Sequence, residues 1–271
     1  MNKAAIGIWD SGIGGLSVHA RIQALLPWER LIYVADTAWC PYGTKSIDII
    51  QERSILITRF LLDQGCKLIV VACNTATAAA IKTLRAQFPH VPIVGMEPAV
   101  KPAILHTKSG VVGVLATRGT FKGPLYNNTL AAFAGPVRVI EQPGDGWVQA
   151  VEEGAYDTPQ TREMVKKVLE PMLRQGVDHL VLGCTHYPFL VPVIQDIAGA
   201  DVTIVDPAPA VAQRVQYLLS EKGWLAEPGI SKEEDLYYTS SPKANMLPSA
   251  VPYTAKGGTI KWRSYTFEKM E

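Results

Sequence analysis

The chain has 271 residues, 48% of them hydrophobic and 19% charged, with a formal net charge of +1. That composition suits a globular protein with a full core and excludes a disordered one. The near-neutral balance leaves no footprint for nucleic acid or an anionic membrane surface. No stretch reads as a membrane helix or a secretory signal, so a cytoplasmic protein is the expectation.

Strand and helix patterns alternate from the start. Ala5 to Trp9 reads as a strand, Asp10-Ser11-Gly12-Ile13-Gly14-Gly15 as a glycine-rich turn, and Leu16 to Leu26 as a helix. Leu31 to Ala35 is a second strand, followed by a helix over Ile47 to Gln64. An apolar run, Leu68 to Ala72, leads to Cys73, then a helix over Ala76 to Gln87 and a strand at Val91 to Gly95. The pattern then restarts. Gly110 to Leu115 is a strand ending in the turn around Thr117, Lys122 to Phe133 a helix, Val137 to Glu141 a strand and Thr161 to Gln175 a helix. A second apolar run leads to Cys184, and Val202 to Val205 closes this half. A helix over Ala208 to Ser220 leads back to the first half, and Tyr237-Tyr238-Thr239 reads as a short strand. The stretch Ala255 to Glu271 is polar and mixed and reads as weakly ordered.

Such alternation predicts an α/β fold with doubly wound parallel sheets. Cys73 lies 63 positions after Asp10, and Cys184 lies 67 after Thr117. That common frame suggests two pseudo-symmetric α/β domains with a site in the cleft between them, although repeated strand–helix units alone also give similar spacings. The expected first domain is 1–96 with 208–271, and the second 97–207.

Open parallel sheets place ligands at the carboxyl ends of their strands. Both Cys73 and Cys184 belong there. Asn74-Thr75 follows the first and Thr185-His186 the second, where a helix begins and free N–H groups bind carboxylates. Helix capping explains either pair alone, since Asn and Thr are favoured caps, but not why both follow a cysteine. Gly12-Ile13-Gly14-Gly15 fails the dinucleotide pattern because Ser17 stands at its last glycine position. Asp10 just before that turn would repel a phosphate but not an ammonium. Pro41-Tyr42-Gly43 is either an ordinary turn or a loop contacting a small acid. Cys66 reads as a core residue, while Cys40 lies beside the Tyr42 loop. No Cys-x-x-Cys pair occurs, so no metal site is expected and a thiol redox role is disfavoured. Glu152 and Glu153 read as a solvated helix face, with a cleft within reach of one of them as the alternative.

Taken together, Ile6 to Leu16, Ala35-Asp36-Thr37, Pro41-Tyr42-Gly43, Ala72-Cys73-Asn74-Thr75-Ala76 and Gly183-Cys184-Thr185-His186-Tyr187-Pro188 resemble the glutamate racemases of the aspartate/glutamate racemase group. Met96-Glu97-Pro98-Ala99 and Leu115-Ala116-Thr117-Arg118 also fit. The resemblance implies a cofactor-independent racemase that supplies D-glutamate for peptidoglycan. Cys73 and Cys184 would be the two acid/base residues, with Asp10 assisting the first and His186 the second. Asp10, Ser11, Tyr42, Gly43, Asn74, Thr75, Thr185 and His186 would bind the amino acid, with Thr117 as an addition. Gln142 to Ala150 departs from the family pattern, so no role passes to Glu152, and the tail beyond Glu227 matches weakly. The implied partner is a small-molecule substrate, with no nucleic acid or membrane, and a homodimer is compatible with the family. The alternatives are a racemase or isomerase of the same group acting on aspartate or another small acid, and a two-lobed binding module without catalysis.

Overall fold

The computed structural model describes residues 4–229, 233–242, 253 and 260–267. In chain order the first elements are β1 (Ile6–Asp10), α1 (Leu16–Leu25), β2 (Leu31–Ala35), α2 (Ile47–Asp63), β3 (Leu68–Val71), α3 (Asn74–Gln87), β4 (Ile93–Gly95) and α4 (Val100–His106). The second series is β5 (Val111–Ala116), α5 (Arg118–Phe121), α6 (Pro124–Phe133), β6 (Arg138–Pro143), α7 (Trp147–Glu152), α8 (Pro159–Leu173), β7 (His179–Gly183), α9 (Val191–Ala198) and β8 (Thr203–Val205). The chain continues through α10 (Ala208–Glu221), β9 (Leu236–Thr239) and β10 (Trp262–Ser264).

These elements form two parallel-sheet α/β domains. One sheet has the order β10-β9-β2-β1-β3-β4, the other β6-β5-β7-β8. The run β2-β1-β3-β4 and the run β6-β5-β7-β8 are the same topology, each with its first strand flanked by its second and third. In such an order the crossovers reverse direction beside the first strand, which opens a crevice at the strands' carboxyl ends.

Why these segments pair is visible in their residues. Successive side chains of a strand point to opposite faces, and a parallel sheet buries both. Ile6, Ile8, Leu68 and Val70 pack on one face, with Leu16, Val18 and Ile22 of α1 and Val211, Val215 and Leu219 of α10. Trp9, Ile69 and Val71 pack on the other, with Ile57, Phe60 and Leu61 of α2 and Ala76, Ala80 and Leu84 of α3. Each fully buried aliphatic side chain contributes about 1.5–3 kcal/mol, so the strands are held from both sides.

Register refines the comparison of the two halves. Trp9 pairs with Val71, and Ala116 with Gly183. Counting one or two residues further, Ser11 stands level with Cys73, and Thr117 with Cys184. The counterpart of Thr117 is therefore Ser11, one residue beyond the Asp10 that spacing alone suggested. Ala116 occupies the place of Asp10, so the second sheet carries no carboxylate there.

Three helices, α4, α5 and α9, escape the sequence pattern because they have four to eight residues, too few to establish a helical period. The helix expected over Lys122 to Phe133 is broken at Gly123, and Pro124 opens α6 at its first position. Within the stretch expected to be weakly ordered, Trp262–Ser264 pairs with β9, and Phe267 packs beside Phe60. Residues 255–259 and 268–271 lie outside the described residues. Among the described residues, no helix is long and apolar enough to cross a membrane.

Candidate active site

Ten of the expected residues, Ser11, Tyr42, Gly43, Cys73, Asn74, Thr75, Thr117, Cys184, Thr185 and His186, line one cavity between the two sheets' carboxyl ends, joined by Pro41 and Val148. The open space among them is about 10 Å³, room for about one water. The lobes are thus closed on each other.

Asp10 ends β1 and is fully buried. Its Oδ1 accepts the Ser11 N–H (2.7 Å), and its Oδ2 accepts the Gly15 N–H (2.7 Å) and the Thr185 hydroxyl (3.1 Å) from the opposite lobe. The amides of the glycine turn therefore hold the protein's own carboxylate. Burial raises the Asp10 pKa above the ordinary carboxylate value despite the lowering effects of the His186 charge and of hydrogen bonds from Cys73 and the Ser11 N–H. Cys73, beside it, precedes α3 and lies 3.8 Å from the Ser11 hydroxyl. Burial first, and the Asp10 charge second, push the Cys73 thiol well above the usual range, against a lowering hydrogen bond from the Ala76 N–H.

Cys184 ends β7 and has a different neighbour, His186 Nδ1 at 3.8 Å. The opposite ring nitrogen, Nε2, meets Glu152 Oε1 at 2.6 Å, and that same oxygen accepts the Ile13 N–H at 2.7 Å. Burial disfavours a charged imidazole here, but hydrogen bonds to Cys184, Cys40 and Glu152 and the Glu152 charge outweigh it, so the His186 pKa stands well above its ordinary value. The result is a chain of carboxylate, imidazole and thiol, the arrangement that activates and orients a nucleophile or base.

Glu152 is thus a site residue after all. Its helical position held the signal. Val148 and Glu152 are four apart on α7 and face the cavity and His186, whereas the equally spaced Gln149 and Glu153 hydrogen-bond each other on the exposed side. The glycine turn has a corresponding reason. A Cβ on Gly12 would overlap Glu152 Oε1, and one on Gly14 would overlap His186 Nδ1. These glycines give room for side chains arriving from the other lobe.

Asn74 carries the clearest sign of a ligand. It is buried, yet neither its Oδ1 nor its Nδ2 has a partner. An unpaired buried polar group costs about 1–3 kcal/mol, so an amide with both ends free marks a place for a ligand offering donor and acceptor. Asn74 makes no capping bond, and Cys73 caps α3 without one. Capping does account for Thr117, whose hydroxyl accepts the Thr120 N–H and also lies 2.8 Å from the Thr75 hydroxyl across the cleft. Tyr42 lines the cavity with its ring, because its hydroxyl donates to Asp36 Oδ2, itself forked by Arg53. Gly43 approaches Thr117 closely, with 3.1 Å between a would-be Cβ and the Thr117 Cβ. Cys66 is a core thiol between sheet and helix, pushed up to about 12 by burial. Cys40 lies at the edge of the site.

Residues 16–215 match the family model for Asp/Glu/Hydantoin racemase. The chain is 52% identical to the glutamate racemase of Ectopseudomonas mendocina over 83% of its own length and 86% of that protein's. It is 51% identical to the glutamate racemase of Pseudomonas entomophila over 89% and 90% respectively. Among solved structures, Escherichia coli glutamate racemase in complex with L-glutamate and the activator UDP-MurNAc-ala superposes with a TM-score of 0.85 at 32% identity, covering 98% of this chain and all of that one. The chain therefore belongs to the Asp/Glu/Hydantoin racemase family, within its glutamate racemases.

Proposed function

We propose that the protein interconverts L- and D-glutamate without a cofactor, with Cys73 and Cys184 moving the α-proton on opposite faces of the substrate. The carrying observation is that two buried thiols from two lobes line one cavity, each backed by its own proton-exchanging group. The α-proton of an amino acid is very weakly acidic. A thiol whose pKa is raised by burial yields a stronger base once ionised, which narrows the gap for abstraction. Asp10 stands where it can take the Cys73 proton as substrate binds. On the other face, protonated His186 can give its Nδ1 proton to a Cys184 thiolate and, once neutral, take it back.

Asn74 offers its free amide to the substrate's polar groups, and the hydroxyls of Ser11, Thr75, Thr117 and Thr185 surround it. Closure excludes water, so these fixed dipoles act at low dielectric on the developing carbanion. Residues 1–96 with 208–271 would form the lobe carrying Cys73, and 97–207 the lobe carrying Cys184. Supply of D-glutamate to peptidoglycan is the physiological role this reading implies.

The test is deuterium incorporation at the α-carbon in heavy water, starting from each enantiomer of glutamate and aspartate with no cofactor added. Exchange and inversion of both glutamate enantiomers, with aspartate inert, is the expected result. Binding without exchange would reduce the protein to a binding module.

A further inference from the structure

We propose that Cys40, Glu152 and His186 form a binding site for a thiophilic divalent cation of the zinc type, and that its occupancy switches the enzyme off. The donor atoms of these three side chains all lie within 4.8 Å of one another. They come from three separate stretches of chain, so no Cys/His spacing announces them. A tetrahedral zinc ion with bonds of about 2.0–2.3 Å spaces its ligands about 3.3–3.8 Å apart, so the widest separations close by about one ångström while the 2.6 Å contact of His186 with Glu152 opens by less than that. One sulfur, one nitrogen and one oxygen form a borderline-soft donor set that suits zinc and leaves a fourth position for water.

Two further observations point to a ligand. Glu152 Oε2 is buried with no partner, while Oε1 is shared between the Ile13 N–H and His186. Gly12 leaves the space between the other donors open: its would-be Cβ overlaps Glu152 Oε1 and lies 3.1 Å from the Cys40 sulfur. Charge balances as well. Counted as a carboxylate, an imidazolium and a thiol, the metal-free cluster carries no net charge. On binding, the Cys40 S–H bond and the imidazolium N–H bond break and two protons leave to solvent. A thiolate, a carboxylate and a neutral imidazole then hold a dication. Both states are neutral overall, so occupancy buries no unpaired charge.

Binding itself follows from this geometry alone. Its effect on turnover rests on the proposed function, because a coordinated His186 cannot exchange protons with Cys184. The same chemistry in competition is a metal held between Cys73 and Cys184, and the test separates the two.

The purified protein is titrated with Co²⁺ as a spectroscopic probe, and racemisation is followed with and without Zn²⁺. The native protein is expected to bind one Co²⁺ with a thiolate-to-metal charge-transfer band. Zn²⁺ should suppress its turnover and EDTA restore it. Cys40→Ser and Cys40→Ala, each compared with its own metal-free turnover, should resist Zn²⁺ and bind Co²⁺ at least about 100-fold more weakly, since a ligand matters more than its outer shell. No charge-transfer band in the native protein, or a band and Zn²⁺ sensitivity unchanged in both variants, would overturn the proposal. The band is read without substrate, so a protein that shows it but fails to racemise refutes the proposed function and leaves the metal site standing.

Discussion

Exchanging sulfur for oxygen at position 73 or 184 keeps the size of the side chain and removes the thiol proposed to carry the α-proton. Cys73→Ser and Cys184→Ser are each expected to lower racemisation by about 10²–10⁴-fold, measured by a chiral assay, with the far-ultraviolet dichroism of the native fold retained. Each should still eliminate a leaving group from a suitable analogue of one enantiomer, because one-way chemistry needs a single base. Glu152→Gln acts further out. It withdraws the carboxylate that helps hold His186 protonated, so the His186 pKa should fall and the alkaline limb of the kcat profile should move to lower pH. The stability sign follows from the same shift. A raised folded-state pKa contributes stability that is full below the unfolded value, near ~6.5, and fades as pH rises through the folded value. The native protein's advantage over Glu152→Gln should therefore be largest in acid and shrink in alkali, read by denaturant unfolding across pH. At this scale the sequence disclosed the thiols and their followers, because apolar runs ending in Cys-Asn-Thr and Cys-Thr-His stand out. It left open which of Glu152 and Glu153 reaches the cleft and whether Cys40 lines the site, because only tertiary contact decides either.

At the scale of elements, the turn Gly12 to Gly15 shows how the same letters support two explanations. Read locally, glycines signal conformational freedom. None of these has a positive φ, and those at 12 and 14 are required by what lies over them. Gly14→Ala should therefore fold, since its backbone suits alanine, but displace His186. A shift of about an ångström at a catalytic group costs about 10²-fold, so kcat/KM should fall by roughly that factor while the unfolding midpoint changes little. Strands were legible because burial on both faces writes continuous apolar runs, as in Leu68 to Val71. The inward face of the short helix α7 was not, since a single turn and a half ending in adjacent glutamates does not say which one faces inward.

For the molecule as a whole, closure is the dominant fact. The cavity admits about one water, and hydrogen bonds cross it from Thr185 to Asp10, from the Ile13 N–H to Glu152 and between Thr75 and Thr117. Glutamate enters only when these break. Amide exchange at Ile13 should accordingly be faster than at Ile8 in the centre of β1, and glutamate should slow it, as followed by hydrogen–deuterium exchange. The two lobes share a strand order but back their thiols unlike: Asp10 directly on one side, Glu152 through His186 on the other. Detailed balance limits how that difference can show itself. Free enantiomers have equal energy in water, so for a racemase the two values of kcat/KM must coincide at every pH and in every variant that retains turnover. The inequality of the two halves can emerge only where kcat and KM move together, one enantiomer being held more tightly and turned over more slowly than its mirror image.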